Sequence, residues 1–434
     1  MQISIEAKQH AQHLLDFIDA SPSPWHAVST TAAKLQAQGF VELRESAAWQ
    51  LSPGGKYFIV RDGGSIIAFV LGQQAITDAG FRIVGAHTDS PSLRLKPKAA
   101  YATEGIAQLG VEVYGGPILA TFTDRDLSVA GRVTVRNDKH FDTKLVRLDQ
   151  PIARLPNLAI HMNREVNDKG LVLNKQTGLP LIFGLAADSA EAHQALTQAL
   201  VGALQVAATD ILSWDLNLYD TQKGVFWGIN QEFIADSQLD NLASCHAALE
   251  ALFAAENPQA TSICALFDHE EVGSESATGA GGSFLLDVIT RICAATQTSD
   301  EEKLRAFANS FFISADMAHA FHPNHAGSYE PCHHVLVNKG PVIKTNANQR
   351  YSTNAVTAAR FIQLCETAGV PYQQYSHRTD LGCGSTIGPI MAAQLGIPTV
   401  DVGNPMWAMH SIRESAGVQD HGDMIAVLTQ HFIS

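Results

Sequence analysis

The chain has 434 residues, and nowhere in it is there a run of roughly 18 uninterrupted apolar residues, so no membrane-spanning helix and no membrane partner are expected. The opening Met1-Gln2-Ile3-Ser4-Ile5-Glu6 lacks the basic-then-apolar order of a secretory leader, and an unexported protein is expected. Basic side chains are outnumbered, 29 Lys plus Arg against 43 Asp plus Glu, for a formal charge of −14. Without a basic face to meet phosphates, no nucleic-acid partner is expected. Cysteine is sparse and unpatterned: Cys245, Cys264, Cys293, Cys332, Cys365 and Cys383 contain no C-x-x-C. That argues against both a disulfide framework and a thiolate zinc site, and makes a reducing cytoplasm the simplest location.

Several catalytic templates are missing as well. There is no G-x-S-x-G, which disfavours an α/β-hydrolase. His269-Glu270 is followed by Gly273 where an H-E-x-x-H helix needs its second histidine. Pro331-Cys332-His333-His334 lacks the second cysteine of a zinc deaminase. Gly382-Cys383-Gly384-Ser385-Thr386-Ile387-Gly388 has the wrong glycine spacing for a dinucleotide loop and follows no clear strand, so it reads as a packing turn.

What the chain does have is apolar content of 46% against 17% charged, enough to bury large cores, and a length that suits two or three domains or one domain with a large insertion. Ala11, Leu14, Leu15 and Ile18 recur at helical spacing before Ser21-Pro22-Ser23-Pro24, and a second helix follows to Gly39. Tyr57 to Val60 and Ile66 to Leu71 flank the turn Asp62-Gly63-Gly64, and Phe81 to Ala86 reads as a buried strand ending at His87. From about Arg94 to Gly228 the pattern becomes short alternating runs, among them Val111-Glu112-Val113-Tyr114 and Leu158-Ala159-Ile160-His161-Met162, with one helix between Ser189 and Leu204. Strands and helices then alternate to the end, with helices at 240–255, 284–295 and 354–368 and strands at 262–267, 311–314 and 399–402. Alternation of that kind implies a mostly parallel sheet covered by helices. The expected architecture is an α/β domain built from residues 1–93 and 229–434, interrupted by a β-rich unit of residues 94–228.

Five motifs place acids and histidines at expected strand ends, where open α/β sheets hold their sites. They are His87-Thr88-Asp89, Gln238-Leu239-Asp240-Asn241, Asp268-His269-Glu270-Glu271, Asp316-Met317-Ala318-His319 and Met409-His410-Ser411. Two histidines, His87 and His410, with Asp240, Glu271 and Asp316 are the ligand set of a two-metal hydrolytic centre, in which cations roughly 3.5–4 Å apart share a carboxylate. The neighbouring acids Glu270-Glu271 fit that chemistry, because one carboxylate binds metal while the other takes a proton from water. Asp89 either orients the His87 ring through its far nitrogen or stabilises the turn before Ser90-Pro91.

Beyond this, Gly85 to Pro97 (GAHTDSPSLRLKP), Ser237 to Ala243 (SQLDNLA), Asp268 to Ser274 (DHEEVGS), Ser314 to Asn324 (SADMAHAFHPN), Gly340 to Asn354 (GPVIKTNANQRYSTN) and Met409 to Glu414 (MHSIRE) resemble the motifs of the aspartyl aminopeptidases, over nearly the whole chain. The resemblance implies a zinc-exopeptidase-like domain interrupted by a β-rich dimerisation domain, and a homo-oligomer assembled from dimers into a tetrahedral dodecamer. It implies two Zn2+ per subunit, one site being open to exchange for Co2+ or Mn2+. His87, Asp240 and Asp316 would hold one ion, and Asp240, Glu271 and His410 the other. Glu270 would be the general base and Asp89 the orienting acid. By the same resemblance His161 would reach a neighbouring subunit's site to stabilise the oxyanion, Lys344 would meet an acidic side chain of the substrate's first residue, and Asp380 would hold its α-amino group. The implied activity is removal of N-terminal Asp or Glu from peptides. A neutral-preferring aminopeptidase on the same scaffold is the enzymatic alternative, and an inactive assembly or cargo protein the alternative of another class.

Overall fold

A computed structural model describes residues 3–434. Ile5–Asp19 and Pro24–Ala37 form the expected helical pair. Ser4 and Ser23 cap them by accepting the N–H of Ala7 and His26, and Pro24 occupies the first turn of the second, where no backbone donor is missed. Ala11, Leu14, Leu15 and Ile18 are buried, as their spacing requires.

A nine-stranded sheet organises the larger unit. Its order is Val41–Glu42, Lys56–Arg61, Ser65–Val70, Thr261–Phe267, Phe81–His87, Phe311–Ala315, Thr399–Gly403, Val342–Thr345 and Gln373–Ser376. The central four strands, from Thr261–Phe267 to Thr399–Gly403, are mutually parallel, and their carboxyl ends open on one side. Antiparallel pairings flank them on both sides. Both faces are covered, and the strand period of two shows in the packing: Ile66, Ala68 and Val70 enter the core under the helices Ile5–Asp19, Leu239–Ala254 and Val418–Ile433, while Ile67 and Phe69 enter the core under Phe284–Ala295.

The β-rich unit is a separate six-stranded sheet running from Ser92–Thr103 to Ile211–Asp220, with its own core against the helix Ser189–Leu204. Val225–Trp227, expected inside the insertion, instead pairs with Phe233–Asp236 in a third, small sheet, so the second crossing lies between Asp220 and Val225. Leu158 to Met162, expected as a strand, is an exposed loop with a turn at Ile160–Met162. Alternation of polarity is only half of what a strand needs, and here no neighbouring strand supplies hydrogen bonds. Upstream of the glycine-rich stretch, where no clear strand was expected, Gln373–Ser376 pairs in parallel with Val342–Thr345 at the sheet edge. No described helix is long and apolar enough to cross a membrane.

Candidate metal centre

The carboxyl ends of the parallel strands bring the site together. His87 ends Phe81–His87, Asp316 follows Phe311–Ala315, and Glu270 and Glu271 form a short turn after Thr261–Phe267. Asp240 stands in the first turn of the helix Leu239–Ala254, its carbonyl held by the Ser90 hydroxyl at 2.7 Å and its N–H donating to the Glu414 carboxylate at 2.9 Å. His410 lies in the loop after Pro405–Trp407, its N–H also donating to Glu414, at 2.6 Å.

Two triads share Asp240. The His87 Nε2 lies 3.5 Å from Asp240 Oδ1 and 3.7 Å from Asp316 Oδ1, and the His410 Nε2 lies 3.5 Å from both Asp240 Oδ2 and Glu271 Oε2. The ligand atoms of His87, Asp240 and Asp316 fall within 4.8 Å of one another, and so do those of Asp240, Glu271 and His410. A third combination, His87 with Glu270 and Glu271, meets the same criterion, so Glu270 stands at the edge of the set, 4.0 Å from the His87 Nε2.

The protein groups alone leave this cluster electrostatically unsatisfied. Burial, reinforced by the charge of Asp240, pushes the Glu271 carboxyl well above its ordinary range, and burial with the charges of Asp316, Asp89 and Asp240 pushes Glu270 up to about 8. Burial opposes a charged His87, yet its contacts with Asp240, Asp316 and Asp89 raise it well above an ordinary imidazole. Asp240 Oδ1 is buried without a hydrogen-bond partner. A buried, unpartnered carboxylate oxygen at the meeting point of two His and carboxylate triads is satisfied by cations, and mixed N and O donors suit zinc. The residues therefore fit two divalent ions.

Asp89 does more than the sequence indicated. The His87 Nδ1 donates to the Asp89 backbone carbonyl at 2.9 Å, while the carboxylate Oδ1 is 3.5 Å from the same nitrogen. The carboxylate, fully buried, accepts the N–H of Glu270 and of Glu271, both at 3.1 Å, and the Tyr114 hydroxyl at 2.7 Å. It thus holds the turn carrying both glutamates, a different turn from the one before Ser90-Pro91, and its backbone carbonyl rather than its carboxylate makes the closer contact with the His87 ring.

The site opens on a cavity of about 510 Å³. Lys344 lines it but is no solvated strand-end lysine: its Nζ is buried, donates to the carbonyls of Asp316 and Met317 at 3.1 Å each, and lies 3.9 Å from Asp316 Oδ2. Arg350 is a second cation on the wall, and Gly384 to Thr386 form part of it, so the glycine-rich stretch read as a packing turn faces the site. Two of the predicted site residues are not brought in. Asp380 is exposed and paired with Arg378 at 2.6 and 2.9 Å, and His161 sits in the exposed loop of the inserted unit. Glu414 and Tyr114 carried no sequence signal of their roles. Glu414 lies within a motif of the resemblance but was given no role there, and Tyr114 lies on a strand of the other unit.

Comparison with known proteins places this geometry among relatives. The family described as Aminopeptidase I zinc metalloprotease (M18) matches residues 17–432. A probable M18 family aminopeptidase 2 of Ectopseudomonas mendocina (strain ymp) is 47% identical over 98% of both chains. Among solved structures, Ape4 in its complex with Nbr1 is 38% identical with a TM-score of 0.95, covering 100% of this chain and 87% of that one. The mApe1 of the S. cerevisiae dodecamer is 29% identical with a TM-score of 0.86, covering 98% and 96%.

Proposed function

Because the chain belongs to the peptidase M18 family of zinc aminopeptidases, the family of the aspartyl aminopeptidases, we propose that it removes N-terminal residues, preferably Asp or Glu, from peptides with two zinc ions per subunit. That it is a metal-dependent aminopeptidase follows from the family. The observation that carries the dinuclear reading is the sharing of Asp240 between two triads, one oxygen toward each histidine.

His87, Asp240 and Asp316 hold one ion in this proposal, and Asp240, Glu271 and His410 the other. When bound, the ions polarise the scissile carbonyl and acidify the attacking water. Glu270 takes the proton of that water and returns it to the leaving amine; Asp89 keeps Glu270 in place through the backbone of its turn. Lys344 directs its remaining proton toward the substrate side chain, with Arg350 as a second cation on the wall. Two of the three Lys344 donors are already committed to carbonyls, which favours a graded acidic preference and keeps the neutral-preferring reading in play.

Assembly belongs to the same proposal. Leu158, Ile160, Met162, Val172 and Leu185 are exposed on the inserted unit, a cost in water that contact with further copies removes. The dodecameric relative supports a homo-oligomer; in this proposal it is built through the inserted unit, up to a tetrahedral dodecamer, and His161 of one copy serves the oxyanion in the next. The six unpaired cysteines support a cytoplasmic location.

Zinc counting and kinetics test the whole. The wild type is expected to carry two zinc ions per chain and Asp240→Ala to lose both, with kcat/KM higher on aspartyl and glutamyl than on leucyl chromogenic substrates. Two ions retained in Asp240→Ala would sink the bridge, a preference for leucyl would favour the neutral reading, and a zinc count near zero in the wild type would favour an assembly or cargo protein.

A further inference from the structure

The two metal-site histidines are steadied from one short segment of the inserted sheet. The strand Ile106–Tyr114 ends against the catalytic unit, and Tyr114, Gly115 and Gly116 each meet a different part of the centre. The Tyr114 hydroxyl donates to Asp89 Oδ2 at 2.7 Å, and the Asp89 backbone carbonyl in turn receives the His87 Nδ1 at 2.9 Å. The Tyr114 ring is held by the Arg94 guanidinium, 3.9 Å from its centroid. Gly115 has φ +68, and a Cβ there would lie 3.1 Å from the Glu271 Cβ, so a side chain at this position is strained and presses on Glu271. The Gly116 carbonyl receives the His410 Nδ1 at 3.1 Å.

The segment is itself fastened to the His410 loop. The Ile118 N–H donates to the His410 carbonyl at 2.8 Å, the Ile412 N–H donates to Thr121 Oγ1 at 3.0 Å, and Ile412 packs into the core of the inserted unit. A hydrogen bond on the far ring nitrogen fixes which nitrogen faces the ion and in what direction. For His410 that bond comes directly from the insertion, and for His87 the insertion acts one residue removed, through Asp89.

We propose that Tyr114-Gly115-Gly116 is a positioning element of the metal centre, so that the inserted unit, within its own chain, sets the zinc affinity of the catalytic unit. Tyr114 is a positioning residue and not a catalytic one, since it touches neither ligand atom nor cavity. The inference rests on the dizinc reading. It implies that a displacement of the inserted sheet reaches both ions through these contacts.

Competition of the purified protein with a chelating zinc indicator tests it. Tyr114→Phe deletes one hydroxyl and leaves the ring beneath Arg94, and the loss of such outer contacts lowers metal affinity by about 10- to 100-fold. The expected result is that weakening, with the melting temperature of the zinc-free protein close to wild type and with Tyr101→Phe, on the adjacent strand, retaining wild-type affinity. Gly115→Ala, which presses on Glu271 without touching Tyr114, is the second variant and is expected to weaken zinc as well. Zinc affinity within twofold of wild type in both variants would overturn the proposal, as would weakening matched by Tyr101→Phe. A wild type holding fewer than two ions would overturn the dizinc reading instead, and the variant-to-wild-type affinity ratio would still decide the positioning role.

Discussion

Replacing Glu270 by Gln separates a proton acceptor from a ligand. The two side chains have nearly the same volume, and the contact that places Glu270 is its backbone N–H on Asp89 Oδ1, which the substitution keeps. The fold and the two triads around Asp240 are therefore expected to survive, with two zinc ions retained. What is lost is the carboxylate that burial and the surrounding acids make a strong proton acceptor, pushed up to about 8 before any cation is added. General-base catalysis contributes about 10² to 10⁴ in rate, and at about 1.36 kcal/mol per tenfold this is roughly 2.7–5.5 kcal/mol of the barrier. The expectation is thus a fall of that size in kcat on an aspartyl chromogenic substrate with KM little changed, measured beside zinc content by mass spectrometry and a thermal melt. The cluster of His87, Glu270 and Glu271 makes the opposite outcome concrete. If Glu270→Gln loses zinc, Glu270 is a ligand; if it keeps zinc and kcat stays within about tenfold, another group is the base.

Three further outcomes are expected. Lys344→Met removes a charge-assisted contact with the substrate side chain, of roughly 1.5–3 kcal/mol, so kcat/KM on an aspartyl substrate is expected to fall ~10- to 150-fold more than on a leucyl one. An equal loss on both would confine Lys344 to supporting Asp316 through the two carbonyls it already serves. His161→Ala is expected to fold and bind zinc but lose activity, and mixing it with Glu270→Gln under subunit exchange should restore part of it; full activity of the single variant would make His161 an ordinary loop residue. His246 and His421, stacked at 5.1 Å and joined at 2.9 Å, are fully buried, and burial lowers His421 to about 3 and His246 well below its ordinary value. The folded state therefore binds fewer protons than the unfolded one below about pH 6.5, and stability present above that pH is lost as pH falls toward 3, by up to about 1.4 kcal/mol per pH unit per histidine. His421→Gln should flatten the acid limb of urea-denaturation stability between pH 6.5 and 4, and an unchanged slope would refute the assignment.

Sequence alone determined the elements whose signal is local. Buried strands such as Phe81–His87 and Thr261–Phe267, the periodic helices, and the acids and histidines that follow the strands were legible because period and motif spacing are properties of a few consecutive residues. That His87, Asp240, Glu271, Asp316 and His410 come together was legible for the same reason, since parallel strands deliver their carboxyl ends to one side. Tertiary structure decided the rest. Leu158 to Met162 alternates like a strand yet has no partner strand, while polar Gln373–Ser376 is a strand because Val342–Thr345 lies beside it. Lys344 is buried because two carbonyls receive its charge, and Asp380 stands apart because Arg378 claims it. Tyr114 reaches Asp89 across 25 residues, and Gly116 reaches His410 across 294. Contacts between residues so far apart leave no local periodicity, since they come into being only when the two units pack and a hydroxyl or carbonyl arrives within hydrogen-bonding distance of the group it holds.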